Sequence, residues 1–280
     1  MIYSHSRLCT FEQCPYKFKL RYLDKIDPII KDTIESFRGR MVHLALEKLY
    51  KDKMDGKENS LKDILSFFDE IWQKNYNEDE IEIVKKRYPL KKYKSMARTF
   101  ITNYYTRYEP FNQTQTIGVE HHLLFNLDNN GDYKIQGFID RLSEKKPGRY
   151  QIHDYKTGSR LPSQNQLNKD RQLGLYTIGV KQHFPDVDQI TLVWHFLHHN
   201  KELQSKRSDE QLKKLSSEVI RIIDTIEQST SFPCKPSFFC NWCEYKPICP
   251  SYSPLYKIKE RNQNDYPKRR GQQRVDQYMD

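Results

Sequence analysis

The chain has 280 residues, 36% of them hydrophobic and 13% aromatic, with a formal net charge of +10. That length allows one large or two small domains with a full core, and so many aromatics exclude a disordered chain. No apolar run approaches the ~20 residues of a membrane span, and the basic surplus favours a polyanionic partner, a phosphate backbone first and an anionic membrane surface second.

The first twenty residues, MIYSHSRLCTFEQCPYKFKL, lack the continuous apolar core of a signal peptide, so a cytoplasmic, reducing location is expected. Six cysteines in such a compartment read as metal-binding or redox groups rather than as three disulfides. Residues 32–50 carry apolar side chains at helical spacing, Phe37, Met41, Leu44, Ala45 and Leu49, with Asp32 and Glu35 placed as a cap. Segments 61–77 and 90–108 repeat that period, so the front third reads as helical.

Strand patterns follow at 116–127, 132–144 and 149–158, joined by turns at Asn129-Asn130-Gly131 and Pro147-Gly148. A helix is predicted over about 169–183, a strand over 190–198, and a helix capped by Ser208 and Gln211 through about 228. Beyond residue 231 the chain is rich in Cys, Pro and aromatics; residues 257–280 are charged, nearly free of aliphatics and predicted to be disordered. There is no internal repeat and no G-x-x-x-x-G-K-[ST] run, which excludes a P-loop motor in this sequence.

The chemistry concentrates in IHDYKTG, residues 152–158. On a strand, Asp154 and Lys156 project to one face, while Tyr155 points away and leaves its carbonyl at the same edge. One strand earlier, GFID ends on Asp140, and a hairpin would bring the two aspartates together. Two carboxylates and a carbonyl make a hard-oxygen site for Mg²⁺ or Mn²⁺. A neighbouring lysine can orient or deprotonate water and offset charge on a phosphoryl transition state, so the set suits phosphodiester hydrolysis. Taken alone, D-x-K also describes an ordinary surface ion pair.

With its companions the sequence resembles the RecB-family nucleases of the PD-(D/E)XK superfamily. The likeness is to their iron–sulfur branch, which includes AddB-type and CRISPR-adaptation exonucleases. The family's G-x-x-x-H helix matches Gly39 to His43, its G-x-x-D strand Gly137 to Asp140, and its D-x-K-T-G strand Asp154 to Gly158. Its Q-L-x-x-Y helix matches Gln172 to Tyr176. The resemblance implies an α/β fold with a restriction-endonuclease-like core, a central mixed sheet flanked by helices. To that core it adds an N-terminal helical insertion and a C-terminal cysteine-rich segment. Residues 1–256 would form one nuclease domain, helical over about 32–110, with the catalytic sheet over about 115–230 and the cysteine segment at 231–252.

By the same resemblance Asp140, Asp154 and the Tyr155 carbonyl ligate the cation, Lys156 acts on water and phosphate, and His43 adds a ligand. Gln172 and Tyr176 stand around the active site and DNA. Without the motif, His43 reads as a core histidine and Tyr176 as helix packing. Glu120 reads as an ordinary strand carboxylate, with a further ligand as its other reading.

Cys240, Cys243 and Cys249 are closely spaced, and Cys14 near the front supplies the fourth member of a Cys₄ site. The C-x-x-C half suits zinc equally. The family pattern, one N-terminal cysteine before Pro and three C-terminal ones, implies a [4Fe–4S] cluster that ties the chain ends together. Cys9 reads as a small buried residue, and Cys234 as a competing ligand that lies outside the three-cysteine spacing. His121, His122, His195, His198 and His199 read as structural or surface residues. Lys85, Lys86, Arg87, Lys91, Lys92 and Lys94 form either a DNA-backbone patch or a solvated helix face. In the last residues, Gln272, Val275, Tyr278 and Met279 resemble a sliding-clamp-binding peptide.

The function expected is a metal-dependent DNA nuclease, an exonuclease on single-stranded ends serving repair, recombination or CRISPR adaptation. The alternative is a non-catalytic nucleic-acid-binding subunit of a helicase–nuclease complex.

Overall fold

The computed structural model describes residues 1–28, 32–83 and 88–252. Lys85, Lys86 and Arg87 of the basic run, and the whole tail with its clamp-like motif, lie outside the described residues. The chain opens on a strand that the sequence reading did not anticipate. This strand, β1 (Ile2–Tyr3), is too short to show alternation, but Tyr3 is buried and its hydroxyl donates to Glu227 Oε1 at 2.7 Å. The front third is therefore not wholly helical. Helices α1 (His5–Gln13) and α2 (Pro15–Phe18) follow, the latter continued by a π turn over Lys19–Leu23.

A second short strand, β2 (Asp32–Thr33), leads into α3 (Ile34–Met54). The cap is Thr33, whose hydroxyl accepts from the Ser36 N–H, and not Asp32, which is paired in β2 and accepts from the Thr33 N–H at 2.9 Å. Helix α4 (Leu61–Asn75) starts at a Ser60–Asp63 capping box, and a strand pair for β2 comes from β3 (Ile81–Glu82). The predicted third helix is α5 (Leu90–Tyr108).

Three long strands then form an antiparallel meander: β4 (Gln115–Asn126), β5 (Lys134–Lys146) and β6 (Arg149–Lys156). The crossover helix predicted from residue 169 is split. A four-residue α6 (Gln164–Leu167) precedes α7 (Arg171–His183), because Asp170 caps the latter by accepting from the Leu173 N–H. Strand β7 (Gln189–Phe196) joins β6 in parallel and stops short of His198, where Leu197–His199 form a 3₁₀ turn. Asn200 then takes the left-handed conformation, and an unanticipated β8 (Lys201–Ser205) returns along β7. Helix α8 (Asp209–Glu227) starts at the Ser208–Gln211 capping box.

The sheet order is β1-β5-β6-β7-β8, with β4 on the other edge of β5. Two apolar layers cover it. Leu8, Leu175, Val180 and Val219 of α1, α7 and α8 pack with Ile139, Ile152 and Leu192. Phe37, Val42, Phe68 and Ile101 of α3, α4 and α5 pack with Tyr155 and Leu197.

The placement of β1 decides where chemistry can occur. It pairs with Lys134 and Ile135 of β5, whereas β6 pairs with β5 only from Arg141 onward. Between these two partners, β5 residues 136–140 present an edge with no strand beside it among the described residues, and Asp140 stands at the end of that gap.

Candidate active site

Past the Arg141–His153 pair, β6 leaves β5, and the Tyr155 N–H loses its place in the ladder. Asp140 supplies the substitute: its Oδ2 accepts from the Tyr155 N–H at 2.7 Å. The carboxylate is thereby fixed in the opening between the strands. Asp154 is only 4% exposed, and Lys156 donates to its Oδ1 at 2.8 Å. The ammonium is equally near Oδ2 but lacks hydrogen-bond geometry there, so that oxygen is buried without a hydrogen-bond partner. The oxygen is charge-neutralised by Lys156, with which a cation bound here would compete.

The α3 helix brings His43 to the same place because Gly39 lets it come close. A side chain at Gly39 would meet Thr157 Oγ1 at 3.1 Å, and Arg38 donates to the Thr157 carbonyl at 3.0 Å. One helical turn on, His43 Nε2 donates to the Tyr155 carbonyl at 2.7 Å, and its Nδ1 lies 3.5 Å from Asp140 Oδ1. The Tyr155 carbonyl thus faces the site, while its ring is buried in the opposite layer beside Tyr104.

Glu120 completes the group, although the sequence reading preferred an ordinary strand role for it. The registers Val119–Arg141 and His121–Ile139 set it opposite Asp140, and its φ of 45° departs from strand geometry. Ligand atoms of His43, Glu120 and Asp140 lie within 4.8 Å of one another. The sequence signal was a carboxylate at the end of a short apolar stretch.

The electrostatics follow from crowding charge in a buried place. Burial pushes Glu120 up to about 7, with the Asp140 and Glu47 charges adding to it. Burial likewise raises Asp154 to about 6, against the pull of Lys156. For His43 burial works against the charged form, but the Asp140 charge and hydrogen bond win and raise it to about 9. Burial would raise Asp140, but the His43 charge and hydrogen bond, the Tyr155 N–H and the Lys156 charge together hold it below the usual carboxylate range. Burial disfavours the Lys156 charge, yet Asp154 holds its pKa above the ordinary lysine value. At neutral pH Lys156 is an ammonium.

Gln172 accepts from Lys156 Nζ at 3.3 Å and donates to the Tyr176 hydroxyl at 3.3 Å. The Tyr176 ring lies on Gly137, where any Cβ would come within 2.3 Å of it. That contact explains why a glycine opens the G-x-x-D strand. Two motifs distant in sequence are one packed pair.

His195 is buried and bonded to His153, in a structural setting, whereas His122 is exposed on β4. In the basic run Lys94 pairs with Asp69 at 2.9 Å, and Lys91 and Lys92 are exposed. Cys9 departs from the buried role expected of it: it is half-buried and accepts from Arg171 Nη2 at 3.1 Å.

The other four expected cysteines do converge. Cys14, Cys240, Cys243 and Cys249 line one cavity of about 30 Å³, and Cys234 lines it too. Cys234 Sγ is 3.7 Å from Cys249 Sγ, and all five are free thiols. Burial raises Cys243, and raises Cys249 to about 11, so these two thiols would ionise near neutral pH only beside a cation. The donor set fits a thiolate-bound metal or cluster. Local spacing had left Cys234 out, and the fold returns it.

The comparisons agree with the geometry. A family model described as the PD-(D/E)XK nuclease superfamily matches residues 2–250. A crystal structure of a candidate exonuclease from Eubacterium rectale superposes with a TM-score of 0.52 at 12% identity, covering 94% of each chain. The structure of SSO0001 matches at a TM-score of 0.33 and 16% identity, covering 58% of this chain and 78% of that one, too weakly to bear on the fold. No curated protein matches. A mixed sheet flanked by helices, with carboxylates, a histidine and a lysine gathered at one strand end, is consistent with the core of that superfamily. The chain belongs to the PD-(D/E)XK nuclease superfamily.

Proposed function

We propose that this nuclease hydrolyses DNA from single-stranded ends, with Mg²⁺ or Mn²⁺ held by Asp140, Asp154, His43, Glu120 and the Tyr155 carbonyl. The observation that carries the reading is the His43, Glu120 and Asp140 ligand group beside the buried Asp154–Lys156 ion pair. Oxygen donors with one imidazole suit Mn²⁺ and tolerate Mg²⁺. Such a cation would polarise the scissile phosphate and lower the pKa of an attacking water. The residues contribute the rest. Lys156, kept charged by Asp154, offsets negative charge developing on the phosphoryl oxygens rather than acting as a base. Gln172 holds that ammonium from the α7 side, and Asp140 fixes the strand end through the Tyr155 N–H.

The thiols of Cys14, Cys240, Cys243 and Cys249 would hold a [4Fe–4S] cluster, with Cys234 at its margin. Zinc is the competing occupant. Either would fasten the cysteine segment to the front of the chain.

The test is digestion of end-labelled single strands and duplexes with Mn²⁺, Mg²⁺ or chelator. Shortening from the ends of single strands, abolished by chelator, is expected. Strand binding without cleavage under any metal would overturn the catalytic assignment and favour a binding subunit.

A further inference from the structure

Beyond Glu120 and Asp140, the β4–β5 hairpin keeps one face covered and leaves the other open. Leu123, Phe125, Ile135 and Ile139 are buried toward α7. Between them, on the opposite face, Phe138 and Leu124 are each 44% exposed, and His122 is exposed as well. An exposed phenylalanine in the middle of a strand, one residue from the glycine that seats Tyr176, has no part in either core.

The open face runs directly into the active site. The register that sets Glu120 opposite Asp140 next sets His122 opposite Phe138. Phe138 is two residues from Asp140, about 7 Å along the strand. The two rings hold each other: the His122 and Phe138 centroids are 4.8 Å apart and tilted by 34°. Pinned to paired strands, the rings have little conformational freedom left to lose on binding.

We propose that Phe138, backed by His122, is a stacking platform for the base of a nucleotide next to the scissile phosphate. It makes single-stranded DNA the preferred substrate. The inference rests on the nuclease reading above. The occupant follows from position and chemistry together. A phosphate held at the carboxylates places its neighbouring base within reach of this ring. The patch of Phe138, His122 and Leu124 contains no lysine or arginine with which to grip a phosphate, but offers a flat π face to a base. A base inside a duplex has both faces occupied by its stacked neighbours, so only an unpaired base can use the platform. Stacking of this kind tolerates any base, because every base presents a π face.

The experiment compares wild type, Phe138→Ala and Phe138→Trp on single-stranded oligonucleotides in which one nucleotide at a time is abasic. Alanine is expected to raise KM about ten- to hundredfold with little change in kcat, and tryptophan to restore it. One abasic position should impose the same loss on wild type and no added loss on Phe138→Ala. Equal KM for wild type and Phe138→Ala, or abasic losses that add fully to the alanine loss, would overturn the platform. So would a loss of self-association in Phe138→Ala with cleavage unchanged, which would make the face a contact between copies. Binding is read separately, by quenching of a 2-aminopurine strand in Asp154→Ala with and without Phe138→Ala. If wild type cleaves nothing, the nuclease reading falls, and this quenching still decides the platform: quenching that needs Phe138 supports it, and quenching that ignores Phe138 ends it.

Discussion

The strand-end site and the cysteine cavity both join residues far apart in sequence, but they are held by different means. Around Asp140 and Asp154 the fold itself fixes geometry. Gly39 seats α3 against Thr157, Gly137 seats Tyr176, and a side-chain hydrogen bond replaces a missing rung of the ladder. Around the cysteines, 3₁₀ turns over Phe238–Trp242 and Lys246–Ile248 contribute no buried residue, and Phe238 is 71% exposed. The first centre is preorganised by packing. The second has sulfurs in place of a core, so its stability depends on what they bind.

If that contrast is right, damaging the first centre removes activity without harming the fold. Asp154→Asn keeps the shape and removes a carboxylate whose ionisation burial opposes, its pKa being raised to about 6, but also removes the ion partner of Lys156, so the two effects on stability offset. Cleavage should fall about 10²-fold or more, while the melting temperature changes by only a few degrees. Calorimetry beside the end-labelled assay checks both. A variant that loses its fold along with its activity would show that the charge pair with Lys156 is structural.

The second centre should respond in the opposite way. Cys240→Ser, or removal of metal by a chelator, is expected to release the segment after residue 231 to limited proteolysis. The melting temperature should drop by roughly 5–10 °C, the equivalent of a few kcal/mol. Metal content and absorption near ~400 nm distinguish iron from zinc in the same sample. A fully protease-resistant Cys240→Ser protein without metal would remove the distinction between the two centres.

Much of this was legible from local pattern. Helical period located α4 and α5, capping residues located α8, and alternation with turn residues located the meander of β4, β5 and β6. The pairing of Asp154 with Lys156 on one strand face needed only period two. What was hidden depends on tertiary events. A two-residue β1 has no pattern to read, yet it closes one side of the gap that holds Asp140. Glu120 looked ordinary because its left-handed backbone and its place opposite Asp140 arise only when the strands pair. Cys234 fell outside a spacing rule that sees chain distance and not the cavity. The glycines of two motifs were readable as letters, but their partners Thr157 and Tyr176 were not.

The packed centre also predicts a pH dependence. On the inner side of β6 and β7, His153 Nδ1 and His195 Nε2 are 2.9 Å apart with rings nearly parallel, both buried. Ser143 and Arg141 face His153, and Tyr108 and Glu202 face His195. Burial, reinforced by the Arg141 charge, holds both imidazoles well below the ordinary histidine pKa. The unfolded chain takes up these protons near pH 6.5 and the folded chain does not, so stability is intact above that pH and lost as pH falls below it. The loss is about 1.4 kcal/mol per pH unit for each histidine. Glu120 and Asp154 act with the opposite sign, because their raised folded pKa values let the native state bind protons first as pH falls. The total slope is therefore a net quantity, and a difference between variants isolates the histidine part. In urea unfolding at pH 6 and pH 5, wild type should lose about 1.4 kcal/mol more than His195→Gln over that interval, provided the variant stays folded. Identical losses in the two proteins would mean that the imidazoles take up protons inside the fold, and that the layer behind the active site is less rigid than its hydrogen bonds imply.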